Sequence, residues 1–412
     1  MTKRLTKLWA GGVRRLLAIQ SRAARAAMHE AARHAPHLPP VWRGERNETA
    51  GTTGPGQTSH APGKTAAPGA SVTPASAFAP RAATPPRESR VGPRAAAWAA
   101  GEWRRAEYIV PATARRASRK LHHGLYLPAG RDTAGLPLVV MLHGCKQSMD
   151  SFAEGTRMNL LADRHGFAVV YPEQSEFAHP HQCWHWYDAR DEAGGGEAAA
   201  VVSLVDALVD EYGFDVSRVY LVGLSAGAGL AALLAVRAPE RFAAVALHSG
   251  PAFGEARSGV TALDVMRRGL HHDPAELLAR QLGDEAHPGM PAIVVQGDDD
   301  AVVAPVNAGQ LAAQFLWLNG LADAEGVRPG VRSRETARDG YVVHDYGRRG
   351  ECAVRLCRVA NLDHAWSGGD DTVPFHSATG PDASEMIWSF FEGHRRDAVA
   401  EAVCDELAKG AD

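Results

Sequence analysis

The sequence predicts an α/β fold, a mostly parallel central sheet with helices on both faces. Three observations carry that prediction. Short apolar runs alternate with segments in which apolar residues recur every three or four positions. The run Leu138-Val139-Val140-Met141-Leu142 has no polar position, as expected of a strand buried on both faces. The run Val219-Tyr220-Leu221-Val222 passes through Gly223-Leu224-Ser225-Ala226-Gly227 straight into a helix-like segment, Leu230 to Arg237. Strands that alternate with helices form parallel sheets with right-handed crossovers, and ligands collect at the strands' carboxyl ends.

Taken in order, the body is expected over residues 103–395, with a tail over 396–412. Short strand candidates are Tyr108 to Val110 and Leu125 to Leu127, followed by the strand Leu138 to Leu142. Helical spacing runs from Phe152 to Ala162, a strand from Phe167 to Tyr171, and a helix from Glu197 to Tyr212. After the strand at Val219 and its helix come strands from Phe242 to Leu247 and from Ala292 to Val295. A helix from Val306 to Leu318, strands from Tyr341 to Tyr346 and Ala353 to Val359, and a helix from Ala383 to Phe391 complete the pattern.

The first part of the chain reads differently. Residues 1–120 hold 21 Lys and Arg against 6 Asp and Glu, a net of +15; the remainder nets −18. In residues 1–35, Leu5, Leu8, Trp9, Val13, Leu16, Leu17, Ala24 and Met28 recur at helical steps among Arg and Lys. The pattern fits a basic amphipathic helix on an anionic or polymer-granule surface, and equally a solvated helix or one docked on the body. Nucleic acid is not expected, because no stacking aromatics are interleaved with the charges. Residues 36–102, rich in Pro, Ala, Gly, Thr and Ser, read as a disordered linker that buries too little apolar surface to offset its ordering. The apolar run Leu16-Leu17-Ala18-Ile19, fenced by Arg14, Arg15 and Arg22, is too short for a secretory leader. No run of 18 apolar residues predicts a transmembrane helix.

The chemistry gathers at strand ends. Gly223-Leu224-Ser225-Ala226-Gly227 is G-x-S-x-G, the sharp strand-to-helix turn that exposes a serine oxygen. A serine hydroxyl needs a base, and the base needs an acid to hold its tautomer. In α/β-hydrolases the chain order is Ser, Asp or Glu, then His. The strand Ile293-Val294-Val295 runs into Asp298, Asp299 and Asp300. Asp300, just before apolar Val302-Val303, is expected to be partly buried and to serve as the acid; the other two suit a turn. His364, on a polar glycine-rich loop after a strand, is the expected base. An oxyanion would sit on the N–H groups of Cys145, in His143-Gly144-Cys145-Lys146-Gln147, and of Ala226, with His143 bracing its turn.

The loop Gln182-Cys183-Trp184-His185-Trp186-Tyr187 is dense in aromatics, either an apolar wall beside the site or core packing. Trp184, Trp186 and Trp366 are the substrate-contact candidates. Five cysteines are too few for a disulfide scaffold. A bond between Cys183 and Cys145 would close the aromatic loop onto the oxyanion loop, and the sequence leaves that pairing open. Cys352 and Cys357 cannot bridge within one extended strand, since five steps span about 16 Å and a disulfide needs Cα atoms within roughly 7 Å. Neither metal-ligand spacing nor a phosphate loop is present, so no cofactor is expected.

These motifs together resemble the esterases of the polyhydroxybutyrate depolymerase family, which includes short-chain polyhydroxyalkanoate depolymerases and relatives of feruloyl and acetylxylan esterases. The matching pieces are Leu142 to Gln147, Cys183-Trp184-His185-Trp186, Gly223 to Gly227, Gly297 to Asp300 with Val302-Val303, His364 to Gly369, and Gly380-Pro381-Asp382-Ala383-Ser384. The resemblance covers about residues 105–393. It implies an α/β-hydrolase fold with Ser225 as nucleophile, Asp300 as acid and His364 as base, acting on small or oligomeric esters. It also implies an extracellular setting. The family's secreted polymer degraders carry a leader and a polymer-binding module, whereas here no leader is read and 19 residues follow Gly393. The aromatic motif departs from the family at His185, where Asn is usual.

Overall fold

The computed structural model describes residues 99–112, 117–187, 194–323 and 325–396. The expected helix over 1–35, the linker as far as residue 98 and the tail beyond 396 lie outside them. Ala99 to Gly101, read as the end of the linker, already bond to the body. The Ala100 N–H donates to Asp163 (2.8 Å) and the Gly101 N–H to the Tyr126 hydroxyl (2.7 Å).

The chain begins with the hairpin β1 (Glu102–Val110) and β2 (Arg119–Leu127), then β3 (Leu138–Leu142), α1 (Met149–Thr156), α2 (Met158–His165) and β4 (Ala168–Glu173). Next come α3 (Gly194–Tyr212), β5 (Val219–Leu224), α4 (Ala226–Arg237), β6 (Ala244–His248), α5 (Gly259–Arg268) and α6 (Pro274–Leu282). The last part holds β7 (Ala292–Gly297), α7 (Val306–Leu318), a short ladder of β8 (Ala322–Asp323) with β9 (Gly326–Val327), then β10 (Arg332–Arg338), β11 (Tyr341–Arg348) and β12 (Glu351–Val359). A second short ladder, β13 (Trp366–Ser367) with β14 (His376–Ser377), precedes α8 (Ala383–Phe391).

Ten strands form one sheet in the order β1-β2-β4-β3-β5-β6-β7-β12-β11-β10. The six central strands, β4 to β12, run parallel; both edges are antiparallel. Side chains alternate across a strand, so the sheet builds two cores. On one face Leu138, Val140, Leu221, Val245 and Val294 meet Leu204, Leu230, Leu277 and Phe315 from α3, α4, α6 and α7. On the other, Val139, Met141, Val222 and Val295 meet Phe152, Leu161, Ile387 and Phe391 from α1, α2 and α8. Strands β3, β5, β6 and β7 are buried along their whole length and are apolar but for His248 at the end of β6 and Gln296 in β7.

The helix expected from Phe152 to Ala162 is two helices. Arg157 between them is left-handed (φ 56°). The reason lies in the carbonyls at the end of α1: Asp370 N–H donates to Gly155 O (2.9 Å) and Ser384 Oγ–H to Thr156 O (2.6 Å). Groups that would continue the helical ladder are spent on the segment 370–384 instead. Helices α5 and α6 and the polar edge strand β10 were not expected. Among the described residues, no helix is long and apolar enough to cross a membrane.

Candidate active site

Ser225 sits between β5 and α4 with φ 56° and ψ −119°, an uncommon conformation for a residue with a side chain. The surrounding chain holds it there. Its N–H donates to His248 O (2.9 Å), and its carbonyl accepts from the Gly229 N–H (3.0 Å). The flanking glycines are required by contact: a Cβ on Gly223 would lie 2.3 Å from the Gly227 carbonyl carbon, and one on Gly227 only 2.0 Å from Leu142 O. The turn is therefore pressed against the end of β3.

At the end of β7, Asp300 is 3% exposed and meets four donors. Val302 N–H (2.9 Å) and Val303 N–H (2.8 Å) reach Oδ1; Gln296 Nε2 (3.0 Å) and His364 Nδ1 (2.8 Å) reach Oδ2. Burial alone would raise its pKa, but these bonds to the charged form, led by His364, outweigh it and hold the carboxyl below its usual range. Asp298 and Asp299 are exposed, and Asp298 pairs outward with Arg358 (2.6 Å).

His364 lies on the loop after β12, which the Asp298 and Asp299 N–H groups fasten to the β7 turn through Val359 O (2.9 Å) and Leu362 O (3.1 Å). Its Nε2 stands 3.0 Å from Ser225 Oγ. Since the carboxylate can only accept, Nδ1 carries the proton and Nε2 offers its lone pair to the serine hydroxyl. The structure thus brings Ser225, Asp300 and His364 into one hydrogen-bonded line. An imidazole so held can take a proton from the serine as it attacks a carbonyl.

The loop after β3 approaches the same serine. A Cβ on Gly144 would be 3.4 Å from Ser225 Cβ. His143 is wholly buried and works as a brace: Nδ1–H donates to Gly144 O (2.7 Å), and Nε2 accepts from the Gln174 N–H (3.0 Å). Burial pushes its pKa down to about 4, so the ring is neutral. Gly144 N–H donates to Gln147 Oε1 (2.7 Å) and Lys146 N–H to His181 O (2.7 Å). The Ala226 N–H opens helix α4, where a first-turn amide has no partner within the helix. These two amides, Cys145 and Ala226, belong to the two segments that meet at Ser225.

Cys145 and Cys183 are bonded, with Cα atoms 4.3 Å apart, so the aromatic loop is fixed to the loop after β3. Burial corrects the expected role of the tryptophans. Trp184, Trp186 and Trp366 are 1%, 4% and 0% exposed and form no open wall. The Trp184 indole N–H donates to His143 O (3.1 Å), Trp186 packs on Gly229 of α4, and Trp366 stacks on His248 with centroids 4.9 Å apart. They support the site from inside, because large apolar rings gain more by leaving water than by lining a wet rim.

Sequence reasoning missed the polar residues behind the site. Buried Glu197 accepts from Gln174 Nε2 (2.7 Å), the His185 N–H (2.8 Å) and His185 Nδ1 (2.7 Å). In the sequence Glu197 reads only as the start of a helix, with no sign that its carboxylate turns inward. His248 was missed as well. Burial takes its pKa down to about 3, and a positive His364 pushes the same way. Among the described residues, no group of three or more His, Cys, Asp or Glu is arranged to hold a metal ion.

Comparison with known proteins bears on the family and the fold. Residues 121–339 match the family model described as Esterase PHB depolymerase. Poly(3-hydroxyalkanoate) depolymerase C of Paucimonas lemoignei is 34% identical over 200 residues, covering 48% of each chain. Feruloyl esterase B of Thermothelomyces thermophilus is 36% identical over 132 residues, 32% of this chain and 44% of that one. The chain thus spans about half the length of the curated relatives it matches. Among solved structures, the acetyl xylan esterase from Aspergillus awamori superposes with a TM-score of 0.56 at 17% identity, covering 71% of this chain and all of that one, a likeness of fold. With the motifs, the sheet and the serine turn in place, the chain belongs to the Esterase PHB depolymerase family.

Proposed function

We propose that the chain is a serine esterase that cleaves short hydroxyalkanoate esters or their oligomers through an acyl-enzyme. The line Asp300–His364–Ser225 at the carboxyl end of the sheet carries this reading. Ser225 Oγ attacks the ester carbonyl carbon while His364 Nε2 takes its proton. The carbonyl oxygen becomes an oxyanion, held by the N–H groups of Cys145 and Ala226. Collapse of this intermediate expels the alcohol, which receives the proton from His364. Water then gives a proton to His364 as it attacks the acyl carbon, and collapse releases the acid while His364 returns that proton to Ser225 Oγ. Asp300 keeps the imidazole in the required tautomer.

Exposed Phe177, Val260, Leu263, Val302, Val306 and Phe375 support an apolar ester. They lie in segments that follow β4, β6, β7 and β13. A feruloyl or acetyl ester of plant polysaccharide is the second reading, favoured by the feruloyl and acetylxylan esterases among the relatives. In the proposed layout residues 103–395 are the catalytic body, and residues 1–35 contact a granule or anionic surface. Hydrolysis of hydroxybutyrate oligomers, feruloyl esters and acetyl-xylan by the full chain and by Ser225→Ala tests the proposal. Turnover of the oligomers that vanishes in Ser225→Ala is expected; equal turnover by the variant would overturn it.

A further inference from the structure

His248 ends β6 and is completely buried. Its main-chain oxygen accepts the Ser225 N–H (2.9 Å), which helps hold the serine in its uncommon conformation. Its ring meets the other half of the site. Nε2 accepts from the Ser367 N–H (3.1 Å), three residues beyond His364. A ring nitrogen that accepts from a main-chain amide carries no proton, so Nδ1 is the protonated one and donates to Ser249 Oγ (3.1 Å). Trp366 covers the ring face, and Ser367 Oγ is itself anchored on Pro381 O (2.7 Å).

We propose that His248 is a positioning residue for this reaction. It ties the main chain of Ser225 to the loop of His364 and so sets the distance between them. Ser225 and His364 are 139 positions apart in the chain and come from different strands. A proton transfer between them depends on a separation held to a few tenths of an ångström. One residue that grips both segments supplies that constraint. Its neutrality matters too: a second positive charge beside His364 would oppose the imidazolium that forms during attack. The inference rests on the esterase reading above.

The test compares His248→Phe, His248→Gln and Ser249→Ala in the full chain. Phenylalanine keeps a ring against Trp366 but leaves the Ser367 N–H without an acceptor. The expected result is a fall in kcat of about 10- to 100-fold with KM nearly unchanged. Glutamine offers an amide oxygen to Ser367 and is expected to restore most of kcat. Ser249→Ala removes the acceptor of the Nδ1–H that helps hold the ring in place, changes little volume, and is expected to lower kcat by about threefold to tenfold. The downfield proton NMR signal of His364 Nδ1–H against Asp300 is read without turnover. It is expected to shift in His248→Phe and to return in His248→Gln. Should His248→Phe fail to fold, Ser249→Ala decides by the same two readouts. A folded His248→Phe with wild-type kcat and an unmoved signal overturns the inference, as does His248→Gln as impaired as His248→Phe. Wild-type protein without esterase turnover, but with the signal still moving in His248→Phe, would overturn the esterase reading and leave the tie standing.

Discussion

At Gly227, alanine would gain helix propensity, worth up to about 1 kcal/mol in the first turn of α4. The new Cβ would also fall 2.0 Å from Leu142 O, a main-chain atom at the end of a buried strand that cannot turn aside. The clash outweighs the propensity. Gly227→Ala is expected to lose about 1–3 kcal/mol of stability and to lower kcat, because the elbow or the loop after β3 must shift. Chemical denaturation checks this; an alanine variant as stable as the parent would show that the contact relaxes freely. The same scale shows why some site residues were legible. Ser225, Asp300 and His364 stand where apolar strands give way to polar turns, and that transition is written in local sequence. His248, Gln174 and Glu197 carry no such mark. A histidine at the end of a buried strand, one of 19 in the chain, acquires its role only when Ser367 arrives from more than a hundred positions away.

At the scale of elements, the segment from Gln174 to Tyr187 acts as a clamp on the loop after β3. It holds that loop through the Cys145–Cys183 bond, the Lys146 N–H on His181 O, the Trp184 indole on His143 O and the Gln174 N–H on His143 Nε2. Cys183→Ala removes one tie and leaves the Cys145 amide in place. Opening a link between residues 38 positions apart is expected to cost up to about 4 kcal/mol on chain-entropy grounds, with a several-fold loss of kcat. Thermal unfolding with and without reductant measures it: the wild type with reductant should fall toward the variant, and coincident curves for all samples would contradict the clamp. Element boundaries followed the sequence where the apolar pattern is unbroken, as in β3, α7 and α8. They departed where tertiary bonds decide. The polar strand β10, Arg332–Arg338, exists through pairing with β11 and has no apolar alternation to announce it. Helix α6 did have a readable start in Asp273-Pro274, whose aspartate caps the Ala275 and Glu276 N–H groups.

Across the whole molecule, buried histidines shape the response to acid: His143, His248 and His376, with His123 lowered by burial as well, among the described residues. Burial is the largest cause lowering His143 and His376 to about 4 and His248 to about 3, from an ordinary 6.5. Their folded values lie below their unfolded ones, so the unfolded chain binds more protons between pH 6.5 and about 4. Stability is therefore complete above pH 6.5 and falls as pH drops through that window, by up to ~1.4 kcal/mol per pH unit for each ring. Asp300, held low by its donors, adds a loss only below its ordinary carboxylate range. Melting temperatures at pH 7.5, 5.5 and 4.5 should decline in step; a flat series would mean that these rings are hydrated. The two-faced sheet was legible as a whole because parallel strands buried on both sides must be apolar along nearly all their length.

The central claim concerns a single activated oxygen. Treating the full, folded chain with a fluorophosphonate and mapping the modified peptide by mass spectrometry tests it most directly. One phosphonate on the peptide carrying Ser225, lost in Ser225→Ala and strongly slowed in His364→Ala, is the predicted result. A folded chain that stays unlabelled, or a label on a different serine, would contradict it.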